Sequence, residues 1–208
     1  MLNAEGHHKM WQLEKDLFAR GVKNIAGVDE AGRGPLAGPV VAAAVIVTPN
    51  YLFKEKIADS KILTSLQREK AYQEITENSQ FAYSIVDEKE IDTLNILQAT
   101  LKAMQQAVDQ LEPKPDWVLI DGPHTPNLNY PCSGIINGDA KSISIACASI
   151  IAKVVRDSLM REFDKIYPEY GFAQHKGYGT KAHTQAIFEH GPCPIHRRSF
   201  QPIKGMLA

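Results

Sequence analysis

Asp29 and Glu30 stand side by side just before a glycine-rich turn, Ala31-Gly-Arg-Gly-Pro-Leu-Ala-Gly-Pro, whose one cation is Arg33. Carboxylates are hard oxygen ligands suited to Mg²⁺ or Mn²⁺. Gly32 and Gly34 lack the Cβ atoms that would keep a substrate backbone or sugar away from the main chain. This is the profile of a metal site facing a phosphate. Two further acids sit where elements end: Asp121 closes Trp117-Val-Leu-Ile-Asp ahead of Gly-Pro-His-Thr-Pro, and Asp139 follows Asn137-Gly138. Each has a plainer role when taken alone, Asp121 as a turn residue and Asp139 as a helix cap. Four carboxylates gathered at one rim would repel one another unless one or two divalent cations neutralised them.

Gathering them requires strands that share an edge. Met10, Leu13, Leu17 and Phe18 are spaced for a helix over about residues 5–20, ended by Gly21. Ile25–Asp29 and the apolar run Pro39–Val47 are β-rich and joined by the glycine turn, which predicts paired strands, the second buried on both faces. Thr64 with Gln67 is a capping-box signature for a helix to about Glu77, and Phe81–Val86 follows as a strand. Leu94, Leu97, Leu101, Met104, Val108 and Leu111 recur every three or four residues, predicting one helix over about 92–111 before Pro113. Trp117–Asp121 is a short buried strand, and helices are expected over about 142–166 and 180–190. This order predicts an α/β sheet with its site at a shared rim. Successive strand residues point to opposite faces, so Asp29 and Glu30 can serve one cluster only if their strand ends or is distorted between them.

A chain of 208 residues suits one compact domain, with or without an appendage. The net charge of −1 hides a division: residues 1–149 hold 14 Lys and Arg against 19 Asp and Glu, and residues 150–208 hold 9 against 5. The basic final third also carries His175, His183, His190 and His196. Lys61, Lys141, Ser142, Lys176, Lys181, Arg197 and Arg198 are candidate phosphate contacts. His190, Cys193 and His196 spell a His-x-x-Cys-x-x-His pattern. A closed zinc site wants four ligands and no second pair lies nearby, so an incidental cluster is favoured. Three widely spaced cysteines and an N-terminus without a signal peptide's apolar core point to a reducing cytosol. No apolar run approaches the roughly 20 residues of a membrane-spanning helix.

These residues carry a resemblance. Val28-Asp-Glu-Ala-Gly-Arg-Gly-Pro-Leu-Ala-Gly-Pro, Asp59-Ser-Lys, Leu94-Asn-Ile-Leu-Gln-Ala-Thr, Ile120-Asp-Gly, Gly138-Asp-Ala-Lys-Ser, Ala148-Ser-Ile-Ile-Ala-Lys-Val-Val-Arg-Asp, His175-Lys-Gly-Tyr-Gly-Thr and His196-Arg-Arg-Ser-Phe occur in the order found in bacterial ribonuclease HII, of the type 2 ribonucleases H. The resemblance spans residues 27–200. It implies a ribonuclease H-like mixed sheet flanked by helices, with a core over 1–166 and a helical extension over 167–208 that packs on it and helps bind substrate. It implies an endonuclease that cuts the RNA strand of RNA/DNA hybrids and the 5′ side of ribonucleotides embedded in duplex DNA, leaving 3′-hydroxyl and 5′-phosphate ends, with a place in ribonucleotide excision repair. Asp29, Glu30, Asp121 and Asp139 become the metal-binding catalytic set, holding one or two Mn²⁺ or Mg²⁺ ions. Gly32, Arg33 and Gly34 meet the ribose 2′-hydroxyl, and the Tyr178 ring packs on the neighbouring deoxyribose. A monomer is expected, and no membrane partner.

Two rival classes predict different behaviour. An integrase-like phosphotransferase would process DNA ends without needing a 2′-hydroxyl, and a non-catalytic module would bind hybrids without metal-dependent cleavage. Neither calls for the Gly-Arg-Gly turn. A sister type, ribonuclease HIII, usually carries an additional N-terminal domain for which the chain has no room. The choice between Mn²⁺ and Mg²⁺, and any partner such as a sliding clamp, are not written in the sequence.

Overall fold

The computed structural model describes residues 10–49 and 51–206. Strands β1 (Ile25–Ala31), β2 (Val40–Val47), β3 (Ser79–Val86), β4 (Trp117–Asp121) and β5 (Cys132–Ile135) form one mixed sheet in the order β3-β2-β1-β4-β5. The first three pair antiparallel across the sheet, and β1, β4 and β5 run parallel. All eight residues of β2 are buried, because helices cover both faces of the sheet's centre.

Eight α-helices surround the sheet among the described residues: α1 (Gln12–Ala19), α2 (Ser65–Asn78), α3 (Glu88–Leu94), α4 (Ile96–Asp109), α5 (Ile143–Ile166), α6 (Phe172–His175), α7 (Lys181–His190) and α8 (Ile203–Met206). Helices α5 and α2 cover one face, where Val41, Ala43 and Val45 meet Ile143, Ala146 and Ile150. Helix α4 covers the other, where Ala42 and Ala44 meet Ala103 and Val108. Small residues bring these layers close: a Cβ on Gly27 of β1 would lie 2.1 Å from the Ser144 carbonyl carbon. A third apolar cluster, with Met160, Tyr170, Phe172, Ile187 and Ile195, joins the C-terminal segments to α5 and to Leu36 and Ala37 of the glycine turn.

The caps follow the sequence. Thr64 and Gln67 form both halves of a capping box, Ser142 caps α5, and Thr180 and Gly191 bound α7. Two expectations are corrected and one is met in part. The single helix over 92–111 is two, because Asn95 takes φ +71° and its Oδ1 accepts from the amides of Leu97 and Gln98, restarting the helix as α4. The N-terminal helix is seen as α1, and residues 5–9 of its expected span lie outside the described residues. The distortion expected between Asp29 and Glu30 is absent from the β2 side, where pairing continues through Ala31. On the β4 side the other alternative holds: pairing ends at Val28 and Ile120 and leaves both acids at an open rim.

Candidate active site

Asp29 projects from β1 beneath α5, and only 5% of its surface is exposed. Its Oδ1 accepts the Glu30 amide at 2.7 Å, and Ser149 of α5 also hydrogen-bonds to it. Burial, followed by the charges of Glu30 and Asp121, pushes the Asp29 carboxyl well above its usual range, and those two hydrogen bonds offset only part of the shift. Glu30 is also shifted upward, by burial and by Asp121, against the opposing pull of Arg33, which lies 3.4 Å from its Oε1, and of Lys61.

Asp121 ends β4 and accepts the Gly138 amide at 2.7 Å. That bond ties β4 to the 3₁₀ turn Gly138–Ala140, which carries Asp139. Asp139 is buried; desolvation and the charges of Asp121 and Asp59 raise its carboxyl, while Lys61 and the Ala140 amide lower it. Lys61 summarises the arrangement. Burial alone would lower its ammonium, but Asp59, Asp29, Asp139 and Asp121 together raise it. One cation thus senses three of the four predicted acids and moderates the fourth. Among the described residues, no group of three or more His, Cys, Asp or Glu side chains is already arranged to hold an ion. The acids are coupled across the rim, with Asp29 and Asp121 each giving one oxygen to a backbone amide.

Beside them opens a cleft of about 220 Å³, bounded by Glu30, Gly32–Gly34, Lys61, Lys153 and Tyr178. The Tyr178 side of the cleft is accessible, with 45% of that residue exposed. Ser60 and Ser149, buried and 2.9 Å apart, line it too. A Cβ on Gly34 would rest 3.7 Å from the Tyr178 ring, an ordinary contact. Gly32 serves differently: at φ +100°, its missing Cβ makes room for Arg156, whose Nε would lie 2.1 Å away.

Several expected phosphate contacts lie elsewhere. Arg197 is corrected: it is wholly buried, and its guanidinium donates to the carbonyls of Gly32, Arg33, Pro35 and Gly38. Ser142 is corrected as well, being wholly buried with its hydroxyl 2.5 Å from Glu14 Oε1 while it caps α5. Lys176 does not line the cleft, and its Nζ donates to the Ala173 carbonyl. Lys141 is exposed just after Asp139, with its Nζ on the Ile136 carbonyl. Lys181 and Arg198 are exposed, and the Arg198 amide is held by Asp92. Of the His-x-x-Cys-x-x-His residues, Cys193 and His196 touch (Sγ to Nδ1, 3.1 Å), while His190 is exposed beside Glu189. Asp59, Ser60, Ser149, Lys153 and Arg156 went unassigned from sequence, although all five lie in the two segments Asp59-Ser-Lys and Ala148 to Asp157.

A mixed five-stranded sheet in this order, flanked by helices and with acids at the ends of its central strands, is a ribonuclease H-like fold. The fold is shared with ribonuclease H2 from Pyrococcus horikoshii OT3 (TM-score 0.75, 28% identity, 88% of this chain and 97% of that one). It is also shared with Bst-RNase HIII, solved in complex with Mn²⁺ (TM-score 0.67, 19% identity, 88% of this chain and 69% of that one). A family model described as Ribonuclease HII matches residues 26–203, and Ribonuclease HII of Acetivibrio thermocellus is 57% identical over 193 residues, covering 92% of this chain and 75% of that protein. The chain belongs to the ribonuclease HII family and is a ribonuclease H enzyme. Among the described residues no helix is long and apolar enough to cross a membrane.

Proposed function

We propose that this chain hydrolyses the RNA strand of RNA/DNA hybrids and cuts on the 5′ side of ribonucleotides embedded in duplex DNA, leaving 3′-hydroxyl and 5′-phosphate ends. The observation that carries the reading is the cleft that brings Glu30, Gly32–Gly34, Lys61 and Tyr178 together beside Asp29, with the charge of Asp121 acting on Asp29, Glu30 and Asp139. The donor set fits divalent ions: it offers only hard oxygens, and burial and mutual repulsion raise three of its carboxyls, a penalty that a cation would relieve. One or two Mn²⁺ or Mg²⁺ ions held by these four residues would supply the Lewis-acid charge for two-metal hydrolysis.

The remaining work falls to the chain's own groups. The main chain at Gly34 and the Arg33 side chain face the cleft and are suited to meet a 2′-hydroxyl, the group that separates RNA from DNA at a given nucleotide. The Tyr178 ring, opposite Gly34, would pack on a deoxyribose and exclude a second 2′-hydroxyl there. Lys61 and Lys153 would hold phosphate oxygens and fix the register of the strand without reading its sequence. Residues 167–208 act as an extension of the core that supplies Tyr178.

The test is incubation of the purified chain with duplex DNA containing one ribonucleotide, with Mg²⁺, with Mn²⁺ and with neither, followed by mapping of both ends. Ion-dependent cutting 5′ of the ribonucleotide, with an all-DNA duplex left intact, is expected. Cutting of the all-DNA duplex, or cutting that continues in a chelator, would refute the reading.

A further inference from the structure

Arg156 and Arg197 are buried cations with no carboxylate partner: among the described residues, neither forms a salt bridge, and the hydrogen bonds of their guanidinium groups end on backbone carbonyls. Arg197 reaches Gly32 at 2.5 Å, Arg33 at 2.9 Å and Pro35 at 2.8 Å, and it takes Gly38 twice, at 2.8 and 2.9 Å. Its planar group also lies over the Phe200 ring, 5.1 Å from the centroid. Arg156 approaches from α5 and donates to Ala37 at 3.1 Å, Pro39 at 2.9 Å and Lys176 at 3.0 Å. The last bond reaches the segment that carries Tyr178, which is stitched to the turn a second time by the Leu36 amide on the Gly177 carbonyl at 2.8 Å.

The consequence lies in peptide geometry. In a trans peptide the carbonyl of one residue and the amide N–H of the next point in opposite directions. Carbonyls of Gly32 and Arg33 drawn into the protein therefore turn the amides of Arg33 and Gly34 the other way, toward the cleft. Neither amide has a partner among the described residues. Two adjacent unpaired donors on a fixed turn suit an oxygen ligand. We propose that Arg197, assisted by Arg156, is a positioning residue for ribose recognition, presenting the Arg33 and Gly34 amides to the 2′-hydroxyl opposite Tyr178. The proposal rests on the ribose-sensing reading of the turn given above and names what holds that turn in shape. A lysine in place of Arg197 keeps the charge but loses the planar fork that spans four carbonyls.

The test compares kcat/KM of Arg197→Lys and Arg156→Lys with that of the unaltered chain on two substrates: a lone ribonucleotide in duplex DNA, and a continuous RNA/DNA hybrid. The ratio between substrates does not depend on how much of a preparation is folded. Activity on the lone ribonucleotide should fall about tenfold further than activity on the hybrid, because a continuous RNA strand offers a 2′-hydroxyl at every step and tolerates misplacement. Equal losses on both would overturn the proposal. Amide hydrogen exchange on the unaltered chain provides a measurement that needs no variant. In chelator, the Arg33 and Gly34 amides should exchange freely and slow when the ribonucleotide duplex is added, with no slowing from an all-DNA duplex. Amides already protected in the free protein, or left unprotected by the ribonucleotide duplex, would overturn the proposal. If the unaltered chain fails to cut at lone ribonucleotides, the functional reading fails, and exchange in the free protein still reports whether the turn is oriented as described.

Discussion

At the scale of single residues, burial and neighbouring charge raise the carboxyls of Asp29, Glu30 and Asp139, a cost that a cation would relieve under the proposed reading. Asp29→Asn or Asp121→Asn should abolish cleavage, since an amide is a poor ligand for a hard ion. In chelator the same variants should melt at or above the temperature of the unaltered chain, because each removes a repelling charge. A melting temperature lowered by several degrees would assign these acids to architecture. The two turn glycines separate by a similar comparison. Gly34→Ala meets only an ordinary contact, so its melting temperature should stay within about 2 °C while cutting at ribonucleotides falls at least tenfold. Gly32→Ala must displace the Arg156 side chain and adopt φ +100°, and should cost about 2–3 kcal/mol in urea unfolding. The acids were legible in the sequence as carboxylates at element ends, and Gly34 as an open approach. The role of Gly32 was not, because the atom that fills its missing side chain comes from residue 156.

Elements place those residues, and two junctions matter most. Helix α1 sends Glu14 to the start of α5, where its Oε1 accepts from the Ser142 and Ser144 hydroxyls and the Ser144 amide in a buried setting. Because α5 begins just after Asp139, this contact anchors the acid's own turn. Glu14→Ala should lower stability by about 2–3 kcal/mol in denaturant titration, and a loss under 0.5 kcal/mol would show the contact to be idle. The second junction is a chain of histidines holding the Tyr178 segment: Cys193 N–H donates to His196 Nδ1, His196 Nε2 and His183 Nε2 lie 3.0 Å apart, and His183 Nδ1 meets the Tyr178 carbonyl at 2.9 Å. Burial pushes both histidines down from the ordinary 6.5 to about 4. The unfolded chain therefore takes up protons first as pH falls. Stability is fully present above pH 6.5 and drains toward pH 4, by at most about 1.4 kcal/mol per pH unit for each ring. Unfolding free energies measured from pH 7 to 4.5 should fall less steeply in His183→Gln than in the unaltered chain, and parallel curves would refute the burial argument. The long helices and central strands were legible from periodicity. The break at Asn95 was not, because Leu94 and Leu97 keep the apolar face in register across it, and β5 has only four residues, too few to show a pattern.

Taken as a whole, the molecule joins its basic final third to its acidic body at the active cleft. Residues 167–206 cover Met160, Leu36 and Ala37 with apolar side chains and send Arg197 back beneath the turn. A chain ended after Ile166 should therefore expose that cluster, bind a hydrophobic dye and lose cleavage at lone ribonucleotides; a truncated chain that stays monomeric and cuts normally would show that the extension is dispensable. The charge division marked the final third as basic, and its arginines read as candidate phosphate contacts. Arg197 could not be recognised as internal, because the carbonyls that justify burying it belong to residues about 160 positions earlier. That separation has a consequence for biosynthesis. The turn is made about 160 residues before the arginine that fastens it, so under the proposed role of Arg197 the shape that would tell a ribose from a deoxyribose can be set only after residue 197 has left the ribosome.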